Sequence, residues 1–171
     1  PDPDVCLAAS ERAELLTPIS KAWCTDIGVE MASLGIQVHG GYGYIEETGA
    51  AQHLRDARIS PIYEGTNGIQ AMDLVGRKLP MRAGAVMGDL IAEIRAFDAV
   101  LAVAGDEFDS IRSNLADSVA ALAEATQWLM ANGLDNPNDA LAGATTALHA
   151  QLRAGCRPFP ECRAPAHAVH R

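Results

Sequence analysis

The sequence predicts an all-α protein, in which a helical bundle is followed by an additional helical extension. Apolar residues make up 49% of the 171 residues, whereas aromatic residues make up only 5%, and the scarcity of β-branched runs favours packed helices over a sheet. The apolar residues also recur at spacings of three and four, which is the period of an amphipathic helix. We expect a helical domain over residues 1–80, a helical extension over 81–154 and a disordered tail over 155–171.

One long helix is predicted in the first part of the chain. Thr17-Pro18 is a candidate N-cap and first helical position, with an earlier start of the helix as the alternative. The periodic pattern stops at Gly40-Gly41, because paired glycines do not sustain a helix. The apolar face of this helix consists of Leu16, Ile19, Trp23, Ile27, Met31, Leu34 and Val38.

A glycine-rich segment over residues 40–49 separates the long helix from a short one. Thr48 is a candidate cap for the short helix, which should end near Arg58. Pro61 lacks a backbone N–H and favours extended geometry at the residue before it. Residues 59–65 should therefore form an irregular connection.

A further helix is predicted to start at Thr66, which is a suitable N-cap residue. Pro80 terminates this helix, because proline cannot continue a helical hydrogen-bond pattern. Its predicted buried face consists of Ile69, Met72, Val75 and Leu79.

Three amphipathic helices are predicted in the extension. The first should end at Gly105-Asp106, the second at Gly133 as a C-terminal cap, and the third should open at Asn136-Pro137. Beyond Ala154 the periodicity is lost, so the tail is expected to be disordered. The apolar positions are Met87, Leu90, Ile91, Ile94, Phe97 and Leu101, then Ile111, Leu115, Val119, Leu122, Thr126 and Leu129, then Leu141, Leu148 and Leu152.

Charge and composition exclude several functional classes. A net charge of −9 without a Lys/Arg cluster disfavours nucleic acid as a partner. No signal peptide is recognisable and the apolar stretches are too short to cross a bilayer, so a cytoplasmic protein without membrane insertion is expected. Irregularly placed cysteines fit a reducing compartment. No metal is expected, because the spacing of the last cysteines and histidines is atypical of zinc sites; these are Cys156, Cys162, His167 and His170.

Glu64 is the main candidate for acid–base chemistry. It lies between Ile62-Tyr63 and Gly65, in the connection that Pro61 keeps irregular. Apolar and aromatic neighbours can desolvate a carboxylate and make it a stronger base. The glycine allows a ligand to approach closely, and the helix start at Thr66 favours an anionic group such as a phosphate.

A second candidate site lies at the end of the long helix. Gly40 and Gly41 allow the backbone to come against a flat or phosphorylated ligand. Gln37, one turn earlier, can present its side-chain amide to the same ligand. The two candidate sites belong to one dense run of unusual motifs between residues 35 and 79.

Three of these motifs follow one another in a fixed order: Gln37-x-x-Gly40-Gly41-Tyr42-Gly43-Tyr44, Arg55-Asp56-Ala57-Arg58-Ile59 and Ile62-Tyr63-Glu64-Gly65-Thr66-Asn67-x-Ile69-Gln70. In order and spacing they closely resemble the C-terminal domain signatures of the acyl-CoA dehydrogenase family. The residues that follow, 72–79, are similar to a longer bacterial subgroup with an added C-terminal helical region, which includes 3-methylthiopropanoyl-CoA dehydrogenases.

The resemblance implies a role for each residue around Glu64. Glu64 would remove the α-proton of an acyl-CoA thioester while the β-hydrogen leaves as hydride to FAD, which gives a trans-2-enoyl-CoA. The backbone amide of Glu64 would hold the thioester carbonyl and stabilise enolate-like charge. Tyr63 would line the flavin or substrate pocket, and Gly65 would bind the substrate.

The resemblance also implies two strips of FAD contacts. The first strip would reach the cofactor of a neighbouring subunit in a homodimer or homotetramer, and it consists of Gln37, Gly40 and Gly41. The second strip lies at a helix start and consists of Thr66, Asn67 and Gly68. Gly68 stands where many relatives have a longer polar side chain, so its contact would come from the backbone. The charged residues between 55 and 58 are interpreted as an ion-pair set that holds the Glu64 loop.

Two other functions fit the same residues. An acyl-CoA oxidase shares the base and the flavin but passes electrons to oxygen, whereas a dehydrogenase would use electron-transfer flavoprotein or a similar acceptor. A helical assembly module without catalysis is the alternative of another class. The chain begins with Pro1, and it lacks the N-terminal helices and the β-domain of the resembled family. We therefore expect a fragment of a longer protein that is inactive in isolation.

Overall fold

A computed structural model describes residues 2–133 and 135–149 of the chain. No β-strand occurs among these residues, so the predicted all-α fold is confirmed. Residues 144–149 are also helical. The α-helices of the described ranges are α1 (Pro3–Val38), α2 (Gly41–Tyr44), α3 (Ala50–Arg58), α4 (Asn67–Asp73), α5 (Ala85–Ala104), α6 (Asp109–Asn132) and α7 (Pro137–Ala142).

Helix α1 begins much earlier than the sequence suggests. Asp2 caps it, since its carboxylate accepts a hydrogen bond of 3.0 Å from the first turn, and Pro3 occupies the first helical position. The predicted start at Thr17-Pro18 is wrong, because Pro18 lies inside the helix and is buried. Thr17 Oγ1 instead donates to the Ala13 carbonyl at 2.7 Å. A proline within a helix removes one hydrogen bond, and here apolar packing compensates for that loss.

Only the first half of the α1 face is covered in this chain. Leu15 and Ala22 are 0% exposed and Ile19 is 8% exposed, so they form part of the core. Further along the same helix, Met31 is 50% exposed and Val38 is 86% exposed. The predicted apolar face therefore extends beyond the part of the helix that the described residues cover.

The glycine-rich segment turns the chain tightly at the end of α1. Gly43 is buried there, and a Cβ at this position would lie 2.3 Å from the Ile36 carbonyl oxygen, so only glycine fits. The predicted cap at Thr48 is wrong, because its hydroxyl donates to the Tyr42 carbonyl at 2.6 Å. Gly49 takes the N-cap position of α3 instead, and α3 ends at Arg58 as predicted.

The helix that starts after Thr66 changes its geometry before it ends. The Thr66 hydroxyl accepts a hydrogen bond of 3.2 Å from the Ile69 N–H, which confirms the predicted cap. Residues Leu74–Lys78 form one π-helical turn, in which the Leu79 N–H donates to the Leu74 carbonyl at 2.9 Å. Such turns are uncommon and rotate the residues that follow around the helix axis.

The buried face of this helix differs from the predicted one. Ile69 and Met72 are 51% and 44% exposed, so their assignment to the core is wrong. Val75 and Leu79 are buried as predicted. The physical reason is close packing against α1 on the side of Ala71, which is 1% exposed and small enough to allow it. The core residues of this segment are Ala71, Leu74, Val75 and Leu79.

The extension packs on the same core as the first part of the chain. Helices α5 and α6 pack against each other, and the predicted breaks at Gly105 and before Pro137 are confirmed. Gly133 ends α6 with its N–H donating to the Leu129 carbonyl at 2.9 Å, although with ordinary right-handed geometry. One hydrophobic cluster contains residues from both predicted segments, among them Leu15, Leu74, Met87, Val119 and Leu148. The division of the chain at residue 80 stays a prediction.

Three ion pairs connect α1 to the residues after α4: Glu11 with Arg82, Arg12 with Glu93, and Glu14 with Lys78. The last pair is the most sheltered, since the Lys78 side chain is only 9% exposed and its Nζ lies 2.9 Å from Glu14 Oε2. The hydrogen bond and the positive charge of Lys78 lower the pKa of Glu14 below its usual value of 4.5. Protonation of Glu14 at acid pH would therefore weaken the contact between α1 and Lys78 and lower the stability of the fold.

We expect the change of Glu14 to Gln to lower the melting temperature near neutral pH and to weaken its acid dependence. Because the pKa of Glu14 is lower in the folded state, its contribution is complete above about pH 4.5 and is lost as the pH falls through the folded value. Lys78 would also lose the anion that compensates its burial. Thermal melts between about pH 3 and pH 7 check this. A matched control is Glu30→Gln, at an exposed α1 position without an ion pair in the described ranges; equal acid dependence in both variants would contradict the prediction.

The predicted disordered tail, with Leu152 and the cysteines and histidines discounted as zinc ligands, lies outside the described residues. Within residues 2–133 and 135–149, each helix is too short or too polar to cross a membrane.

Candidate functional site

The connection that carries Glu64 is irregular, as the position of Pro61 predicts, and hydrogen bonds close it into a loop. The Asn67 N–H donates to the Pro61 carbonyl at 3.0 Å and closes the loop at its base. The Tyr63 N–H donates to the Ile59 carbonyl at 3.1 Å, which fixes the entry to the loop. Glu64 therefore lies near the tip of a short, hydrogen-bonded loop.

Glu64 adopts a backbone conformation that is unusual for its residue type. Its φ angle is +50°, and Gly65 follows with a φ of +83°. A non-glycine residue in the left-handed region is uncommon and costs on the order of 1 kcal/mol or more. At Gly65 a Cβ would also lie 2.9 Å from Gln70 Nε2. Strain of this kind often occurs at functional sites, so it makes Glu64 a candidate functional residue. Arg82 and Ala83 also have positive φ angles, of +49° and +56°.

The surroundings of Glu64 are open in this chain. Glu64 is exposed, and Tyr63 beside it is 50% exposed. The desolvating environment predicted for the carboxylate is therefore not supplied by the described residues. Among the described residues there is also no acceptor for the Glu64 N–H. Both the side-chain carboxylate and the backbone N–H of Glu64 are therefore free to contact a ligand.

The three candidate residues at the start of α4 have different environments. The Thr66 hydroxyl is used as the helix cap, and Gly68 is exposed. The Asn67 side chain faces α1, where its Nδ2 donates to Asp26 Oδ1 at 2.8 Å and its Oδ1 accepts from Lys21 Nζ at 2.8 Å. Its side-chain amide is therefore occupied within the fold.

The other strip, at the end of α1, presents bare backbone to the outside. Gln37, Gly40 and Gly41 are all exposed. Gly40 has a φ of +60°, which requires glycine. A Cβ at Gly41 would meet no heavy atom of the described chain within 4 Å beyond its immediate neighbours. The fold thus explains Gly40, whereas Gly41 leaves an open surface that a ligand can use.

The two strips do not converge within one chain. Asn67 is anchored on α1 at Thr25 and Asp26. Gln37 lies twelve residues beyond Thr25 on the same helix, which corresponds to about 18 Å along the helix axis. A single copy of this chain therefore offers two separate surfaces rather than one enclosed site.

The charged residues between 55 and 58 do not hold the Glu64 loop, which corrects the interpretation from sequence. Arg55 forms an ion pair with Glu46, with Nη2 and Oε2 2.7 Å apart, and this pair lowers the pKa of Glu46. Asp56 accepts a hydrogen bond from Gln52 in the same helix. The motif therefore fixes the turn into α3, which follows the glycine-rich segment.

Sequence reasoning missed the polar cluster that receives Asn67. It consists of Lys21, Thr25 and Asp26 on α1. His149, near the end of the described chain, also reaches it with Nε2 3.6 Å from Asp26 Oδ2. The sequence feature that could have indicated this cluster is the i, i+4 spacing of Lys21 and Thr25, with the small Ala22 next to Lys21. This spacing places both polar side chains on one side of the helix.

Two cavities of the described chain lie away from Glu64. One apolar cavity of about 280 Å³ lies between the π-helical turn and helices α6 and α7. Another of about 310 Å³ lies between α1 and α3 and includes His39 and His53 in its wall. Neither cavity includes Glu64 or Tyr63.

Comparison with known proteins identifies the class of this chain. Residues 6–79 match the family described as "Acyl-CoA dehydrogenase, C-terminal domain". The match covers α1 from its fourth residue, the glycine-rich segment, α3, the Glu64 loop and α4. The chain therefore belongs to the acyl-CoA dehydrogenase family.

Three relatives define the similarity more closely. The chain is 46% identical over 140 residues to 3-methylmercaptopropionyl-CoA dehydrogenase of Ruegeria pomeroyi, which covers 82% of this chain and 24% of the relative. It is 40% identical over 89 residues to a butyryl-CoA dehydrogenase of Syntrophomonas wolfei, covering 52% and 15%. It is 39% identical over 61 residues to the CarC subunit of the caffeyl-CoA reductase-Etf complex of Acetobacterium woodii, covering 36% and 16%. The chain thus spans a quarter or less of the length of these relatives.

Proposed function

We propose that this chain is the C-terminal part of an FAD-dependent acyl-CoA dehydrogenase and that Glu64 is its catalytic base. The observation that carries the proposal is the left-handed conformation of Glu64 on a closed loop, with a free carboxylate and a free N–H. Neither the carboxylate nor the N–H of Glu64 has a hydrogen-bond partner among the described residues, so both are available to a ligand. The family match over residues 6–79 supports the same assignment.

The chemistry assigned to Glu64 is the removal of a proton from carbon. The α-proton of an acyl thioester passes to the carboxylate, and the electron pair left on the α-carbon forms the new double bond as the β-hydrogen departs with its electrons. The Glu64 N–H donates to the thioester carbonyl and stabilises the enolate-like charge as it develops. Tyr63 and Gly65 flank the reacting acyl group, which becomes a trans-2-enoyl-CoA.

FAD supplies the acceptor for the departing hydride when it is bound. The exposed amide of Gln37 and the open backbone at Gly40 and Gly41 fit contact with a flat or phosphorylated ligand. At the start of α4, Thr66 and the exposed Gly68 fit such a contact. Asn67 does not fit, because its amide is engaged with α1.

The separation of the two strips favours an assembly of several copies. The Gln37 strip lies about 18 Å along α1 from the anchor of the Glu64 loop. Each strip is therefore proposed to serve a different flavin, with the Gln37 strip directed to a neighbouring subunit. The name of the relative from Acetobacterium woodii includes an Etf complex, which supports electron-transfer flavoprotein as the proposed partner.

A chimera tests the proposed function. In it, this chain replaces the matching C-terminal segment of the relative from Ruegeria pomeroyi, with which it shares 46% identity. We expect the purified chimera to be yellow and to reduce an acceptor dye when short, medium or long acyl-CoA thioesters are added. A folded chimera with bound FAD but no dye reduction by any thioester would contradict the proposal, and oxygen consumption without dye reduction would indicate an oxidase.

A further inference from the structure

The Asn67 side chain lies between two opposite charges on α1. Its oxygen accepts from the Lys21 ammonium at 2.8 Å, and its NH₂ group donates to the Asp26 carboxylate at 2.8 Å and to Thr25 Oγ1 at 3.0 Å. A cation beside the oxygen and an anion beside the nitrogen fix the orientation of the amide. Two residues of nearly the same size cannot replace it. An aspartate can accept from Lys21 but cannot donate to Asp26, and a leucine can do neither.

The backbone of Asn67 performs a second task. Its N–H donates to the Pro61 carbonyl at 3.0 Å and so closes the loop that contains Glu64. Asn67 thus joins the loop base through its main chain and α1 through its side chain. The α1 segment that receives it packs into the core through Ala22, which is 0% exposed.

We infer that Asn67 is a positioning residue, which holds the Glu64 loop in its strained conformation by fixing the loop to α1. This inference rests on the proposed role of Glu64 as the base. A left-handed φ at a non-glycine residue persists only where the surroundings determine it. Here the determinants on α1 are Lys21, Thr25 and Asp26, with His149 of the extension near Asp26. Asn67 consequently acts on turnover through the geometry of Glu64, rather than on FAD affinity.

An exchange of charges tests the inference in the chimera. Asn67→Asp places a second carboxylate beside Asp26, and misplacement of a reacting group by about 1 Å can cost about 10²-fold in rate. We expect kcat to fall about 100-fold, with KM and the flavin absorbance spectrum nearly unchanged. The double change Asp26→Asn with Asn67→Asp restores a donor opposite the carboxylate, so it should recover most of the lost kcat.

Two further variants keep the test decisive. Lys21→Met removes the cation from the other side of the amide and should lower kcat in the same way, whereas Asn114→Asp adds the same charge at an exposed position of α6 and should change nothing. Melting temperatures and circular dichroism establish that each variant is folded, and the double variant should restore any stability lost in Asn67→Asp.

The inference is overturned if Asn67→Asp leaves kcat unchanged, or if it releases FAD and the Asp26 exchange does not restore activity. The latter result would make Asn67 a cofactor contact. Failure of the proposed function gives a different pattern, because Glu64→Gln would then keep its activity in the same chimera. If Glu64→Gln is inactive but Asn67→Asp is fully active, the positioning role of Asn67 is contradicted while the proposed role of Glu64 stands.

Discussion

Changing Glu64 to Gln in the chimera is expected to reduce turnover by about 10² to 10⁴-fold while FAD stays bound. The amide has nearly the same size as the carboxylate, but it cannot accept the α-proton. The Glu64 carboxylate makes no hydrogen bond within the described residues, so the fold does not depend on its charge. The substitution is therefore expected to lower turnover without lowering the stability of the fold.

Steady-state dye reduction and the flavin spectrum measure this effect. The control is Glu47→Gln, which neutralises another exposed carboxylate in the glycine-rich segment and should retain full turnover. A Glu64→Gln protein that turns over near the normal rate would remove Glu64 from its proposed role. A variant that loses FAD would instead show that the carboxylate supports cofactor binding.

The 171-residue chain alone is expected neither to bind FAD tightly nor to oxidise acyl-CoA. Tight cofactor binding requires a concave pocket that buries most of the ligand, whereas the two candidate strips are exposed and about 18 Å apart along α1. The uncovered half of α1 adds an exposed apolar surface that includes Met31 and Val38. Surfaces of this kind favour self-association.

Isothermal titration with FAD and a dye assay with three lengths of acyl-CoA test the isolated chain. Circular dichroism should show that it is helical, so that the lack of binding is not due to unfolding. Submicromolar FAD binding or measurable dye reduction by this chain would contradict the expectation. Such a result would mean that copies of the chain complete a flavin site among themselves.

The fold class and most helix ends could be predicted because they depend on local patterns. The glycine and proline breaks at Gly105 and Pro137 lie where the helices stop and start, since these residues act on the backbone directly. The start of α1 could not be predicted from Pro18, because burial in the core overrides its helix-breaking tendency. The exposure of Met72 was also missed, since it depends on how closely Ala71 allows α4 to approach α1.

The candidate site shows the same division between local and long-range information. The motif around Glu64 could be recognised from the sequence, because its residue types follow one another along the chain. The contact between Asn67 and Asp26 could not, since it joins residues 41 positions apart. The positive φ of Glu64 could not either, since glutamate rarely adopts it. For that reason Asn67 was predicted to contact FAD, whereas its amide faces α1.

The measurement that tests the central claim most directly is hydrogen exchange at the α-carbon. The chimera is incubated with an acyl-CoA in D₂O under anaerobic conditions, and mass spectrometry follows the uptake of deuterium into the thioester. Because this exchange requires only removal and return of the α-proton, it reports on the base separately from the electron acceptor. We predict uptake with the unsubstituted chimera and none above background with Glu64→Gln. Equal uptake by the two proteins would contradict the assignment of Glu64 as the base.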